Sequence, residues 1–181
     1  MSQNWHMPIT LQLIESDHSE SFREMQAGCT ALPLPPHPGA FGVKRQHHIH
    51  EGVDLYCAAG TPVMAVEDGM VVARQHFTGE KAQSPWWRDT EALLIEGVSG
   101  VVVYGEIAPY PHVTVGQNVK AGQEVGTVLQ VLKEDKGRPM SMLHLELHRH
   151  GARDTFEWRA GRQRPPSLLD PTELLQKALQ I

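Results

Sequence analysis

From residue 50 onward, short apolar runs alternate with glycine-containing turns. GTPVMAVEDGMVVARQ, EALLIEGVSGVVVYGEI, HVTVGQNVKAGQEVGTVLQVL and SMLHLELHRHG follow one another, and valine is abundant in them. Short β-branched runs bounded by turn residues predict strands, and hence an all-β domain, a sandwich or a barrel. EDGMVV and KAGQEVGTV each read as a turn followed by a strand, with glycine where positive φ is wanted. Their likeness hints at an internal duplication. In SMLHLELHRHG, period-2 alternation puts Leu143, Leu145 and Leu147 on one face of a strand. Those leucines belong to the core, so Met142, His144 and Glu146 face a polar pocket.

The flanks read differently. Residues 1–31 have no clean period and predict a strand or short helix packed on the outside. ALPLPPHPGAFG (residues 31–42) is too rich in proline for a helix and predicts an extended arm laid across the surface. FTGEKAQSPWWRDT (residues 77–90) is a long connection between two strands, which marks it as a candidate for function. Trp86 and Trp87 within it are candidates for a groove wall. After Trp158 the chain is polar and proline-rich, and PTELLQKALQ predicts a short helix. Asp170 is its expected N-cap, Pro171 its first position, and Glu173 lies three residues after the cap. The expected organisation is an N-terminal arm (1–40), a β domain (41–158) and a C-terminal tail with a short helix (159–181).

A chain of 181 residues with net charge −5 has the size of one domain and no basic stripe to neutralise phosphates. Composition thus argues against a nucleic-acid partner and against docking on an anionic membrane. No apolar run approaches the roughly 20 residues of a membrane span, and the N-terminus does not read as a secretory signal, so a cytoplasmic location is expected. Two cysteines, Cys29 and Cys57, make no disulfide framework and are expected as free thiols, Cys57 buried near the site.

Histidine changes the picture. Six of the 11 histidines cluster in HHIH and HLELHRH. His50 and Asp54 would lie about 13 Å apart on a straight strand at roughly 3.3 Å per residue, too far to share an ion. A bend must join them, and Gly52 permits one. His144 supplies a third donor from the polar face of its strand. Two histidines and a carboxylate with an open fourth position form the pattern of a catalytic Zn²⁺ site. Glu146 then holds a ligand histidine by a hydrogen bond. His47, His48, His148 and His150 read as solvated histidines.

The order of these motifs resembles that of the lysostaphin/LytM-type zinc endopeptidases, peptidase family M23. The matching stretches are His50-Glu51-Gly52-Val53-Asp54, Gly60-Thr61-Pro62-Val63, Asp68-Gly69, Tyr104-Gly105-Glu106, Val115 through Gly126, and Met142 through Glu146. The resemblance covers about residues 40–150. It implies a small antiparallel β-sheet or barrel-like fold (the duplicated hybrid motif), Zn²⁺ on His50, Asp54 and His144, and a groove that takes a peptide or peptidoglycan-derived ligand.

Two positions depart from the family. The histidines that serve proton transfer and oxyanion stabilisation there are replaced by Glu106 and Met142 here. A carboxylate is a legitimate general base, so Glu106 is a candidate for that role. Met142 moves no proton, and Arg138, His148 or Tyr104 would have to supply another donor. Tyr104 and Met142 are further candidates for the groove. Three readings stay open: a zinc protein with altered or lost endopeptidase activity, an active zinc hydrolase using Glu106, and a metal-free binding module.

Overall fold

The computed structural model describes residues 4–18 and 28–180. The eleven strands are β1 (Gln12–Ser16), β2 (Cys29–Pro33), β3 (Val53–Tyr56), β4 (Pro62–Met64), β5 (Gly69–Thr78), β6 (Thr90–Gly97), β7 (Val101–Pro109), β8 (Asn118–Val119), β9 (Glu124–Val128), β10 (Met142–His148) and β11 (Leu168–Leu169). Among the described residues a 3-10 turn (Glu80–Ala82) lies between β5 and β6, and one α-helix, α1 (Thr172–Ala178), follows the strands. The protein is all-β, as the alternation predicts.

The main sheet is antiparallel, in the order β11-β10-β7-β6-β5-β8, with β3 on β10 and β9 bridging β4 and β7. The pair β1–β2 stands apart from it and is parallel. β4 pairs with β9 while β5 pairs with β8, so the β4–β5 and β8–β9 stretches are joined crosswise.

Strand β10 organises the domain. Its leucine face is sealed: Leu143 and Leu145 are 0% exposed and Leu147 4%. They pack with Val53, Leu55, Val102 and Tyr104 in the main core. Burial of such side chains contributes roughly 1.5–3 kcal/mol each. Ala92, Leu94, Val101 and Val103 pack with Phe77 on the opposite side of β6 and β7, which are therefore covered on both faces.

The flanks are built in more deeply than their composition predicts. Trp5, Ile9 and Leu13 enter the main core. The His6 and Met64 N–H groups bond the Val66 and Pro8 carbonyls. The rest of the segment expected on the outside, residues 19–27, lies outside the described residues. The proline-rich stretch is not helical, but neither is it a surface arm, because Leu32, His37, Ala40 and Phe41 are buried. Helix α1 starts one residue later than expected, and the Asp170 carboxylate accepts the Thr172 N–H at 2.8 Å.

Two glycines serve a purpose other than the one their motifs imply. Gly52 and Gly69 do not adopt positive φ. A Cβ on Gly52 would stand 2.5 Å from the Leu145 carbonyl and 3.0 Å from the His144 ring, and one on Gly69 would stand 2.7 Å from the Glu96 carbonyl. Both are places of close backbone approach.

Candidate metal centre and cleft

A cleft of about 770 Å³ opens over β3, β7 and β10. At its floor are His50, Asp54 and His144, three groups that could hold a metal ion. The chain before β3 turns back so that His50 Nε2 lies 3.1 Å from Asp54 Oδ1. His144 pairs with Asp54 across β10 and β3, which brings its Nδ1 to 2.8 Å from the same oxygen. The two histidine nitrogens are 3.3 Å apart.

The second nitrogen of each ring is already committed. His50 Nδ1 lies 2.9 Å from the Ala40 carbonyl, which only accepts, so this nitrogen carries the proton. His144 Nε2 lies 2.9 Å from Glu146 Oε1 and donates to that carboxylate. Both inward nitrogens are thus free to present lone pairs to one point beside Asp54 Oδ1. A four-coordinate ion with bonds of about 2.0–2.1 Å keeps its ligand atoms about 3.3 Å apart, close to the spacings here. Without a cation the lone pairs face one another, and a proton must separate them. That conflict bears on the charge each group favours. Burial opposes charge on His144, yet the flanking Asp54 and Glu146 carboxylates hold its imidazole well above the usual histidine range. Burial keeps His50 below that range. Burial works to raise the Asp54 carboxyl, but His50, Arg45 and His144 drive it well below the carboxylate norm. The donor set fits a divalent cation.

Glu106 stands beside this cluster, on the side of β7. Between two register points, β6 advances from Glu91 to Leu93 while β7 runs from Ile107 to Tyr104. The extra residue makes a β-bulge at Gly105–Glu106, and Glu106 takes φ 64°. Bulges re-aim side chains, and this one sets Glu106 among the residues of the cleft. Its Oε2 is shut from solvent and has no hydrogen-bond partner among the described residues. Burial, helped by the Asp54 charge, pushes the carboxyl up to about 8. Gly105 has no side chain because the Phe77 ring fills its place, where a Cβ would be 2.6 Å from Cε1. Phe77 then packs on His144 with ring centroids 5.4 Å apart.

Met142 and Trp87 line the cleft, and Arg138 stands exposed on its rim. Trp86 does not line it and is 63% exposed to solvent. Tyr104, expected in the groove, is 1% exposed and lies in the core, where its hydroxyl accepts the Val66 N–H at 2.9 Å. The expectation of a solvated His148 is also overturned: it is 0% exposed and bonds Glu146. With Tyr104 and His148 both buried away from the cleft, Arg138 alone of the three proposed donors reaches it. Cys57 is half-buried, and burial pushes its thiol up to about 11. Both cysteines are free thiols.

Arg45 went unnoticed in the sequence. Its guanidinium reaches Asp54 Oδ2 and, at 2.8 Å, the Pro38 carbonyl. It therefore orients the carboxylate so that Oδ1 faces the histidines. A lone arginine before a histidine run carries no signature, so only its placement reveals the role.

Comparison with known proteins gives the family and the fold. The family described as "Peptidase family M23" matches residues 48–155. No curated protein matches the chain. Among solved structures, CbpA from L. salivarius REN is 19% identical, with a TM-score of 0.51 over 78% of this chain and 86% of that one. The catalytic domain of the antimicrobial peptidase lysostaphin from Staphylococcus simulans is 20% identical, with a TM-score of 0.50 over 76% of this chain and 89% of that one. These two likenesses speak for the fold.

Proposed function

The chain belongs to peptidase family M23, and from that premise we propose a zinc-binding member whose endopeptidase machinery is altered. His50, Asp54 and His144 hold the ion, and Glu106 replaces histidine as proton acceptor. The observation that carries this reading is the convergence of three donor atoms within 3.3 Å, with both outer imidazole nitrogens already tied. When bound, Zn²⁺ supplies Lewis acidity toward an amide carbonyl and acidifies water.

The chain's own residues divide the remaining work. Glu106 takes a proton from the attacking water and returns it to the leaving amine. The unpartnered Oε2 supports this role, since a reacting group would meet its unfilled hydrogen-bonding capacity. Arg138 faces the carbonyl oxygen as that atom gains charge. Phe77 and Met142 keep bulk water from the floor, and Trp87 packs on the substrate at the rim. The substrate class is a peptide amide, with peptidoglycan-derived peptides the family's precedent.

A second reading rests on Met142. A thioether moves no proton, and a site lacking that contribution serves as a receptor for a peptide carbonyl or carboxylate. Metal analysis with turnover of a peptide and muropeptide panel by wild type and Glu106→Gln separates the two. The hydrolase reading expects one zinc per chain in both and a fall in turnover of about 10²–10⁴-fold in the variant. Zinc without hydrolysis by wild type leaves the receptor; neither zinc nor hydrolysis removes both.

A further inference from the structure

The buried polar face of β10 does not end at Glu146. His148 Nε2 lies 2.7 Å from Glu146 Oε2, and His148 Nδ1 lies 3.1 Å from Ser167 Oγ. Glu146 is 3% exposed and His148 0%. A continuous hydrogen-bonded chain therefore runs His144–Glu146–His148–Ser167. Its direction follows from what each group can do. His144 must keep the proton on Nε2 if Nδ1 is to offer a lone pair. The Glu146 carboxylate then accepts at one oxygen from His144 and at the other from the His148 Nε2–H. His148 Nδ1 is left as an acceptor, and the Ser167 hydroxyl is the donor that fills it.

Ser167 lies beyond the stretch that matches the family, residues 48–155. The tail that carries it is fixed to the outer edge of β10. His148 and Leu147 pair with Leu168 and Leu169, the Arg149 N–H bonds the Ser167 carbonyl at 2.7 Å, and Leu168 is 1% exposed. These pairings fix the backbone that carries the Ser167 hydroxyl beside His148.

We propose that His148 and Ser167 are positioning residues for the metal centre, through which the C-terminal tail sets the tautomer and orientation of the ligand His144. Groups that orient ligands from outside typically change metal affinity 10–100-fold when removed. The same is expected here, attenuated with each step outward. The inference rests on the reading of His50, Asp54 and His144 as zinc ligands.

The test is zinc affinity by competition with a chromophoric chelator, together with the absorption spectrum of the Co²⁺-loaded protein, on the full chain. Four proteins are compared: wild type, His148→Leu, His148→Gln and Ser167→Ala. His148→Leu removes the donor to Glu146 and is expected to weaken zinc about tenfold or more and to shift the Co²⁺ bands. Glutamine can place an N–H where Nε2 stands, so His148→Gln is expected within about threefold of wild type, a rescue that mere packing would not give. Ser167→Ala deletes one hydroxyl, and a loss of about threefold is expected from it. Should His148→Leu fail to fold, His148→Gln and Ser167→Ala carry the decision. Wild-type affinity and an unshifted spectrum in Ser167→Ala and in every folded His148 variant would overturn the inference while leaving the ligands standing. Absence of zinc binding by wild type would instead remove the ligand reading and this inference with it.

Discussion

The ligand cluster and the residues that stand for the family's catalytic histidines occupy one cleft but differ in how their polar atoms are met. Around His50, Asp54 and His144 the outer ring nitrogens and Asp54 Oδ2 are satisfied by Ala40, Glu146 and Arg45, while the inward atoms turn their lone pairs to one point. Across the cleft, Glu106 keeps a buried oxygen without a partner, and Met142 offers a thioether where a proton carrier is the family's pattern. A satisfied polar network is rigid and defines one arrangement, whereas an unsatisfied buried group persists only at a cost and marks a place where a visitor binds or reacts. On the proposed reading, the contrast separates what would hold the ion from what would act on a substrate.

The largest expected effect breaks the satisfied side. His144→Ala leaves the Asp54 and Glu146 carboxylates buried without the imidazole between them, and loss of one partner from such a network costs ~3–5 kcal/mol. Zinc content should fall to none, and a chelator that lowers the melting temperature of wild type should leave that of the variant unchanged. Calorimetry with and without chelator reads both.

A smaller effect comes with acid. In the metal-free protein burial tends to raise the Glu146 carboxyl, but hydrogen bonds from His144 and His148 hold it down at about 2, against 4.5 ordinarily. A depressed carboxyl contributes stability that is present above its unfolded value and is lost as pH falls through the folded one. Urea midpoints should therefore decline from about pH 4.5 toward pH 2, by a ceiling of about 3 kcal/mol, and less steeply in Glu146→Gln. Equal slopes in both proteins would show that the network is not strong.

The smallest of the three sharpens the other side. Met142→His restores a proton carrier to a position that lines the cleft. It is expected to raise turnover of a peptide amide about tenfold, ~1.4 kcal/mol of barrier, with zinc content unchanged. A variant no faster than wild type would mean that position 142 does not meet the reacting amide.

Much of this is legible in the sequence. The alternation in SMLHLELH places three leucines in the core and His144 and Glu146 on the other face, and the structure does the same. What escaped depends on distant pairings. His148 reads like its neighbour His150, yet one is sealed and the other exposed, because the tail at Ser167 and Leu168 pairs with the former. The bend at Glu106 arises because β7 must pair with β6, β9 and β10 at once, a constraint that no local motif encodes. Arg45 meets Asp54 because the proline-rich stretch folds inward, against the expectation of a surface arm.

The left-handed backbone at Glu106 sets two pressures against each other. Residues with a Cβ tolerate φ near 64° poorly, at a cost of about 1–2 kcal/mol, and glycine does not pay it. A laboratory selection for heat resistance alone should therefore drift toward Glu106→Gly, since that change relieves the strain and removes an unmet buried oxygen in one step. A selection that also demands turnover should keep the glutamate. The sequences that survive each regime would show whether that carboxylate is a tool or an accident.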